Sequence, residues 1–521
     1  MADAAEAPVA TGTAGIAADK NAWPLLLRER TWGPWQLGVA LAAAAAATWC
    51  YIIGESVANY LGFKAAIATL TAGSMIGMLL VTLATVPTSV RFGVDSIASS
   101  IPQFGTRGWV IPSAIQFLSI VGWNAQLLIF FSKSVTQLLI ALNFTTAAAQ
   151  PRLQSATVLL ACALVFLFLL KGSGGVDRVA RIVVAHVFIG IWMLYILVSH
   201  RWDELSHAVP PAATADHLWN YVTGVEIGIS SLLSWWPYIG SMVRMARHGR
   251  TVALPIMLGM GLPVPLLALI GIAGFLVLKT SDPAQWLRTV GGTGYGIVAL
   301  LFVTAANLGT TVAGTYASAI GLRYYPGLDR LPWPVLLLMT LAPVALVGLL
   351  IPELFFEHFS TFIAFIGITM APLCGIQIVD YYVLRRRRID IRGIYDSSAG
   401  GAYRFWGGFN PSAILAMAVG FGVYTYLLNP LSYASRWPYQ YLTASLPTTF
   451  AAAAAYWLVT RFGVIPRRRG GYRIRPVCSE PGSVMPRSPG SMPAPAETSG
   501  GSTPGGGRTA AMPSISLRSR C

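Results

Sequence analysis

Thr48-Trp49-Cys50-Tyr51-Ile52-Ile53-Gly54 and Ser234-Trp235-Trp236-Pro237-Tyr238-Ile239-Gly240 decide the architecture. Each places a small hydroxyl residue, tryptophan, tyrosine and glycine in the middle of a long apolar run, and the two runs lie five apart along the chain. Five is odd. If the first five runs repeat, the second copy must be inverted in a membrane, an organisation that puts a binding site at the midplane where interrupted helices of the two copies meet. Pro237 strengthens this reading, because a proline inside a span frees backbone carbonyls that could hold an ion. Coincidence between two segments of a tryptophan-rich protein is the competing explanation.

Working outward, the 521 residues are 55% hydrophobic and only 11% charged, against about 25% charged in an ordinary soluble domain. A soluble globular enzyme is excluded, and apolar runs near 20 residues recurring along the chain indicate a polytopic helical membrane protein. The runs are continuous, with no alternation at every second residue, which excludes an outer-membrane barrel. Cys50, Cys162, Cys374, Cys478 and Cys521 show no paired spacing and read as small interior residues, not as a disulfide or metal framework. The first 34 residues are alanine-rich and polar with no short apolar core, so no cleavable signal peptide is expected.

Twelve spans are predicted, near 35–60, 64–86, 109–142, 155–170, 180–199, 219–242, 252–278, 293–320, 332–351, 354–383, 411–428 and 440–460. They imply an N-terminal segment (1–34), a first five-helix repeat (35–199), a second inverted repeat (219–383), two further helices (411–460) and a disordered tail (461–521). The tail is Gly-, Pro- and Ser-rich beyond Arg469 and cannot bury enough apolar surface to offset its ordering entropy. Loops on one side carry 19 Lys and Arg, those on the other six. The positive-inside rule therefore places both termini in the cytoplasm. Most of the net charge of +16 thus records topology and tail, and nucleic acid is not implied as a partner.

Charged residues within spans are costly and are functional candidates by default. There are four: Glu55, Lys133, Glu226 and Asp380. Glu55 and Asp380 stand close to interfaces, where a structural role is as natural, and the long stem of Lys133 can snorkel. Glu226 precedes Trp235 by nine residues, roughly 13 Å of helix, and is a candidate for proton coupling or a buried, hydrogen-bonded acid. In span 3, Trp123 and Gln126 are three residues apart and share a helix face, so an aromatic plane and an amide can be presented together to a flat heteroaromatic ligand. Packing against lipid and helix linkage is the alternative. Span 8 aligns Asn307, Thr311 and Thr315 on one face and Ala306 with Thr310 on its neighbour. One stripe suits a substrate and the other an ion, although the same composition makes tight helix interfaces. Nothing indicates an enzyme: there is no HExxH, Walker loop or GxSxG. His186 stands alone in span 5, Gly73 and Gly77 read as helix packing, and Arg385 to Arg388 read as an anchor at an anionic leaflet.

Taken together these segments resemble the nucleobase-cation-symport family, which includes purine and cytosine permeases and hydantoin transporters. The resemblance covers about residues 21–462. It rests on Asn21 to Gly33, Arg91-Phe92-Gly93, Phe104-Gly105 to Gly108, Gly122-Trp123, Ser234-Trp235 through Arg244, the Thr-rich span 8, Asp380-Tyr381-Tyr382 with its following arginines, Tyr403 and Asn410-Pro411. It implies two inverted five-helix repeats of the LeuT type plus two helices, working by alternating access. The family's stacking tryptophan falls on Trp123 and its span-6 aromatic on Trp235 or Trp236. Its span-3 amide has a counterpart in Gln126, one residue short in spacing, and its span-8 asparagine falls on Thr315. The sodium site of such relatives would fall near Ala45 and Thr48 and on Ala306, Gly309 and Thr310. Gly309 stands where a serine hydroxyl would be a ligand, which tilts the expectation from sodium towards protons.

The expected function is a symporter of the cell membrane that imports a small planar nitrogen heterocycle, cytosine or a purine first, with no cofactor beyond a coupling Na+ or H+. Allantoin, hydantoin or a thiamine- or pyridoxine-type vitamin precursor is the alternative substrate, and a non-transporting membrane sensor the alternative class. Oligomeric state has no signal in the sequence.

Overall fold

The computed structural model describes residues 24–472, apart from 147–149, 171–187, 189, 248, 281, 293, 324, 326 and 399. His186 lies outside the described residues, as do 1–23 and 473–521. The described chain is helical, with three isolated β-bridges and no strand. Its main helices are α1 (Pro34–Ala45), α2 (Trp49–Ala58), α3 (Phe63–Ala84), α4 (Ser96–Phe104), α5 (Val110–Ala141), α6 (Gln150–Leu169), α7 (Gly190–His200) and α8 (His217–Leu233). They continue with α9 (Trp236–Val243), α10 (Pro263–Leu278), α11 (Tyr295–Leu322), α12 (Trp333–Leu350), α13 (Pro352–Glu357), α14 (Phe359–Val379), α15 (Pro411–Leu427) and α16 (Ser445–Val459). Seven helices among the described residues are long and apolar enough to cross a membrane, or eight if a bent pair counts as one span.

That bent pair is α1 and α2, which meet at 63°. The break falls in a run of alanines, the best helix former, so propensity cannot be its cause. Tertiary bonds hold it: the Thr48 hydroxyl donates to Asn307 Oδ1 on α11, and Trp49 packs on Trp123 and Trp235. The second break lies between α8 and α9, at Ser234 and Trp235. Pro237 sits in the first turn of α9, where no backbone N–H is needed, so it begins a helix and does not interrupt one. The expectation of freed carbonyls is corrected accordingly. The Ser96 hydroxyl donates to Trp236 O (2.7 Å) and Pro237 O (3.1 Å) and accepts from Gly240 N (3.1 Å).

Helix pairs approach closely through glycine, as packing in lipid requires. A Cβ on Gly73 would stand 2.3 Å from Val225 O, and one on Gly77 2.5 Å from Ile229 O, so the GxxxG of α3 is the contact with α8. Gly54 of α2 meets Ala268 O of α10 in the same way, at 2.1 Å.

All four intramembrane charges are buried. Asp380 Oδ2 accepts from Arg385 Nε (2.6 Å) and Gln103 Nε2 (2.9 Å), while Oδ1 accepts from the hydroxyls of Tyr472 (2.8 Å) and Tyr456 (3.2 Å). Lys133 does not snorkel: its Nζ is 3.0 Å from Glu353 Oε2 and 4.4 Å from the Phe356 ring centroid. Residues 461–472, expected to belong to a disordered tail, are packed against the helices. A helical turn covers Thr460–Val464, and packing continues to Tyr472 because its hydroxyl reaches the buried Asp380.

Candidate functional site

Where the two breaks face α5 and α11, the structure encloses a cavity of about 470 Å³, within the range of roughly 300–1,000 Å³ usual for small-molecule sites. Four tryptophans line it, Trp32 at one end and three in a cluster. Trp49 stands edge-on to Trp123 (centroids 5.6 Å, 72°) and tilted to Trp235 (5.5 Å, 42°), which in turn meets Tyr238 at 5.0 Å. Alanines of α1 complete an apolar wall. The polar contribution comes from Asn124, Ser234, Ser241 and Thr310, with Tyr238 and Tyr316, a composition suited to a flat ring read by few hydrogen bonds.

The cavity runs from the tryptophans towards Trp32, Met242 and Ala317, at the arginine-rich face. On the other side Trp123 is covered edge-on by Phe359 (5.6 Å) and Phe362 (5.5 Å) of α14. Beyond them Phe130 meets Phe356 at 5.4 Å beside the Lys133–Glu353 pair. One side is therefore sealed by aromatic packing and one ion pair.

Of the expected substrate residues, Trp123 and Trp235 line the cavity. Trp236 does not. It is fully buried behind the wall, with Nε1 donating to Gln377 Oε1 at 2.6 Å, so of the two adjacent tryptophans Trp235 is the one that lines the cavity. Gln126 is also fully buried off the wall, and neither of its amide atoms has a hydrogen-bond partner. The physical reason is helix phase. Trp123, Asn124 and Leu127 line the cavity, and at about 100° per residue the centre of that face lies about 100° from Gln126. Asn124 is the amide that reaches the cavity, and its Nδ2 donates to Thr315 Oγ1 at 3.2 Å. Thr315 thus supports the wall from behind. Asn307, also buried, accepts from Thr48 and leaves its Nδ2 unpartnered.

Of the expected ion-coupling residues, Gly309 and Thr310 reach the cavity. Ala45, Thr48 and Ala306 are buried beside it. Ala45 O already accepts from Ala47 N (2.9 Å) and Cys50 Sγ (3.0 Å), and Ala306 O accepts from Thr310 Oγ1 (3.2 Å). Glu226 lies elsewhere. Its carboxylate accepts from Ser230 Oγ (3.0 Å), Tyr424 OH (3.0 Å), Ala444 N (3.0 Å), Ser445 N (2.9 Å) and Ser445 Oγ (2.6 Å). Five donors hold it as a cap on the N-terminus of α16, the arrangement of the buried, hydrogen-bonded acid.

Two wall residues were missed in the sequence. Trp49 was visible as one half of the repeated segment, but its role follows only from the bend that turns it inward. Asn124 was visible beside Trp123, and the i, i+3 argument favoured Gln126 because the phase of a helix against its neighbours is not written locally.

The sequence profile described as permease for cytosine/purines, uracil, thiamine, allantoin matches residues 24–432. A hydantoin permease of Microbacterium maritypicum is 23% identical over 441 residues, covering 77% of this chain and 82% of that protein. A purine-uracil permease of Arabidopsis thaliana is 21% identical over 392 residues, covering 71% and 64%. Among solved structures, a nucleobase-cation-symport-1 family transporter in a closed conformation with bromovinylhydantoin bound superposes with a TM-score of 0.67 at 20% identity, over 87% of this chain and 99% of that one.

Proposed function

This chain belongs to the family of permeases for cytosine/purines, uracil, thiamine and allantoin, and from that premise we propose that it is a symporter for a planar nitrogen heterocycle, a nucleobase first. The protein is an integral membrane transporter and not an enzyme. The observation that carries the substrate reading is the wall of Trp49, Trp123 and Trp235 with a single amide, Asn124, beside them. Ring faces stack on indole, and with Nδ2 of Asn124 donating to Thr315 its Oδ1 is left to accept from a ring N–H or exocyclic amine at an edge of cytosine or a purine. The allantoin or hydantoin alternative is supported by the size of the cavity, which has room for substituents on a five-membered ring, and by the hydantoin permease relative.

The proposed architecture is two inverted repeats (35–199 and 219–383) followed by two helices (411–460). The paired breaks at the start of each repeat support it. The bias of the loop arginines supports a cell-membrane protein with both termini cytoplasmic. On that orientation the cavity faces inward, and opening of the Phe359–Phe362 seal supplies the alternate access. Coupling is proposed to protons in preference to sodium, because Thr310 gives the only side-chain oxygen among the six expected ion-coupling residues that reaches the cavity. The test is uptake of labelled nucleobases, allantoin, hydantoins and vitamin precursors into proteoliposomes, with sodium and pH varied. Uptake of a nucleobase that follows the proton gradient and is lost in Trp123→Ala is the expected result. Transport of none of them refutes the substrate reading, and a sodium requirement abolished by Thr310→Ala refutes the ion.

A further inference from the structure

We propose that a pocket between the ends of α14 and α16, remote from the central cavity, binds the phosphate of an anionic phospholipid headgroup. The pocket measures about 500 Å³ and is lined by Arg385, Arg386, Arg388 and Arg461, with Tyr472 at its edge. It forms where each helix ends in a wide turn, Asp380–Leu384 after α14 and Thr460–Val464 after α16. Left-handed backbone at Arg386 (φ 49°) and Arg387 (φ 65°) folds the arginine run back on itself, so three of its four side chains line one pocket. Trp457 of α16 and Arg461 of the turn that follows it are four residues apart and line the same space.

The charges do not balance within the protein. Asp380 neutralises Arg385 at 2.6 Å. Arg386, Arg388 and Arg461 are exposed at the pocket and form no ion pair with a carboxylate among the described residues. Like charges held together repel, and a phosphate accepting from several guanidinium forks removes that repulsion with directional bonds. A second observation lies at the buried end of the cluster. Arg385 is only 3% exposed; its Nε and Nη2 donate to Asp380 and to Pro102 O (2.7 Å), whereas Nη1 has no hydrogen-bond acceptor.

The rim selects the source of the phosphate. Val383, Leu384, Trp457 and Ile465 line the same pocket; Val383 is 53% exposed, and the neighbouring Phe462 70%. A soluble anion has no use for exposed apolar side chains beside its site, whereas acyl chains do, and tryptophan is favoured at headgroup level. Basic pockets between spans on the positively charged face are suited to anionic lipid. Bound there, a lipid would brace the inner end of α14, on which Asp380, Tyr456 and Tyr472 converge, against α16.

The experiment measures the apparent Tm of the purified full chain in detergent with phosphatidylcholine, on titration with phosphatidylglycerol, additional phosphatidylcholine, inorganic phosphate or glycerol 3-phosphate. Phosphatidylglycerol should raise the Tm by about 2 °C or more, since a ligand that binds only the folded state stabilises it, and the other additions should not. Arg386→Gln/Arg388→Gln/Arg461→Gln should lose most of that rise. Arg330→Gln/Arg392→Gln, exposed on the same face but away from the pocket, should keep it. If the triple variant does not fold, Arg461→Gln alone should raise the half-saturating lipid concentration roughly 3- to 10-fold, one charge-assisted contact's worth. No lipid response in the wild type, or an equal loss in the two multiple variants, overturns the site. A rise with inorganic phosphate equal to that with lipid overturns the lipid assignment.

Discussion

Replacing Asn124 by leucine tests the central assignment, because it keeps the number and branching of the side-chain heavy atoms and removes the amide. Asn124 Nδ2 is engaged with Thr315 Oγ1 at 3.2 Å, so Oδ1 is the atom available to accept from a ring N–H or exocyclic amine. Losing that bond costs about 0.5–1.5 kcal/mol net, and a ligand donor left without a partner in an apolar cavity adds to it. A total of roughly 1–2 kcal/mol corresponds to about 5- to 30-fold weaker binding at 1.4 kcal/mol per decade. Thr315→Val removes only the support behind the amide and should cost less, about 2- to 5-fold. Gln126→Leu, off the wall, should change affinity by less than about 2-fold, since none of its atoms contacts the cavity. Affinity is read from tryptophan fluorescence on titration with the best-transported heterocycle, and KM from uptake in proteoliposomes. Wild-type affinity in Asn124→Leu combined with a tenfold loss in Gln126→Leu would refute the helix phase and the amide assignment together.

Trp235→Ala should abolish saturable uptake with the fold intact. Trp236→Ala should mainly destabilise, by about 3–5 kcal/mol for a buried aromatic, and leave the KM of surviving protein unchanged; reversed phenotypes would contradict the wall. Glu226→Gln places an amide among donors that face the carboxylate and should cost roughly 2–4 kcal/mol, visible as a lower Tm with an unaltered pH profile of uptake. A flattened pH profile at wild-type Tm would instead return Glu226 to proton coupling. Lys133→Met removes a pair whose partner Glu353 is half exposed, worth about 0–1 kcal/mol, and a cation–π contact worth about 0.5–2 kcal/mol. Thiol labelling of Phe359→Cys from the side sealed by α14 should therefore quicken about 3- to 10-fold, and an unchanged rate would show that the aromatic packing alone holds that side shut.

Why some of this could be read from the residues and some could not follows from where each constraint lies. Apolar length is a local property, so the spans at Phe63–Ala84, Val110–Ala141 and Tyr295–Leu322 appear where hydropathy puts them. The repeated Trp–Tyr–Gly segments marked the two breaks, since both fall at those motifs. Yet the cause of the first break was invisible: six consecutive alanines favour unbroken helix, and only long-range contacts oppose it, the bond from Thr48 to Asn307 and the packing of Trp49 on Trp123 and Trp235. The same distinction separates Trp235 from Trp236 and Asn124 from Gln126. Neighbouring residues of equal chemistry differ only in the direction that packing gives them, and that direction is set by partners such as Gln377 and Thr315, more than 140 positions away. Glu226 shows the limit from the other side. A buried acid in a span demands either function or full satisfaction, and four of its five donor groups, on Tyr424, Ala444 and Ser445, lie beyond the two proposed repeats. The charge that looked most like machinery fastens α15 and α16 to α8, and the polar chemistry left for the ligand is correspondingly small: one amide, a few hydroxyls and four indole rings.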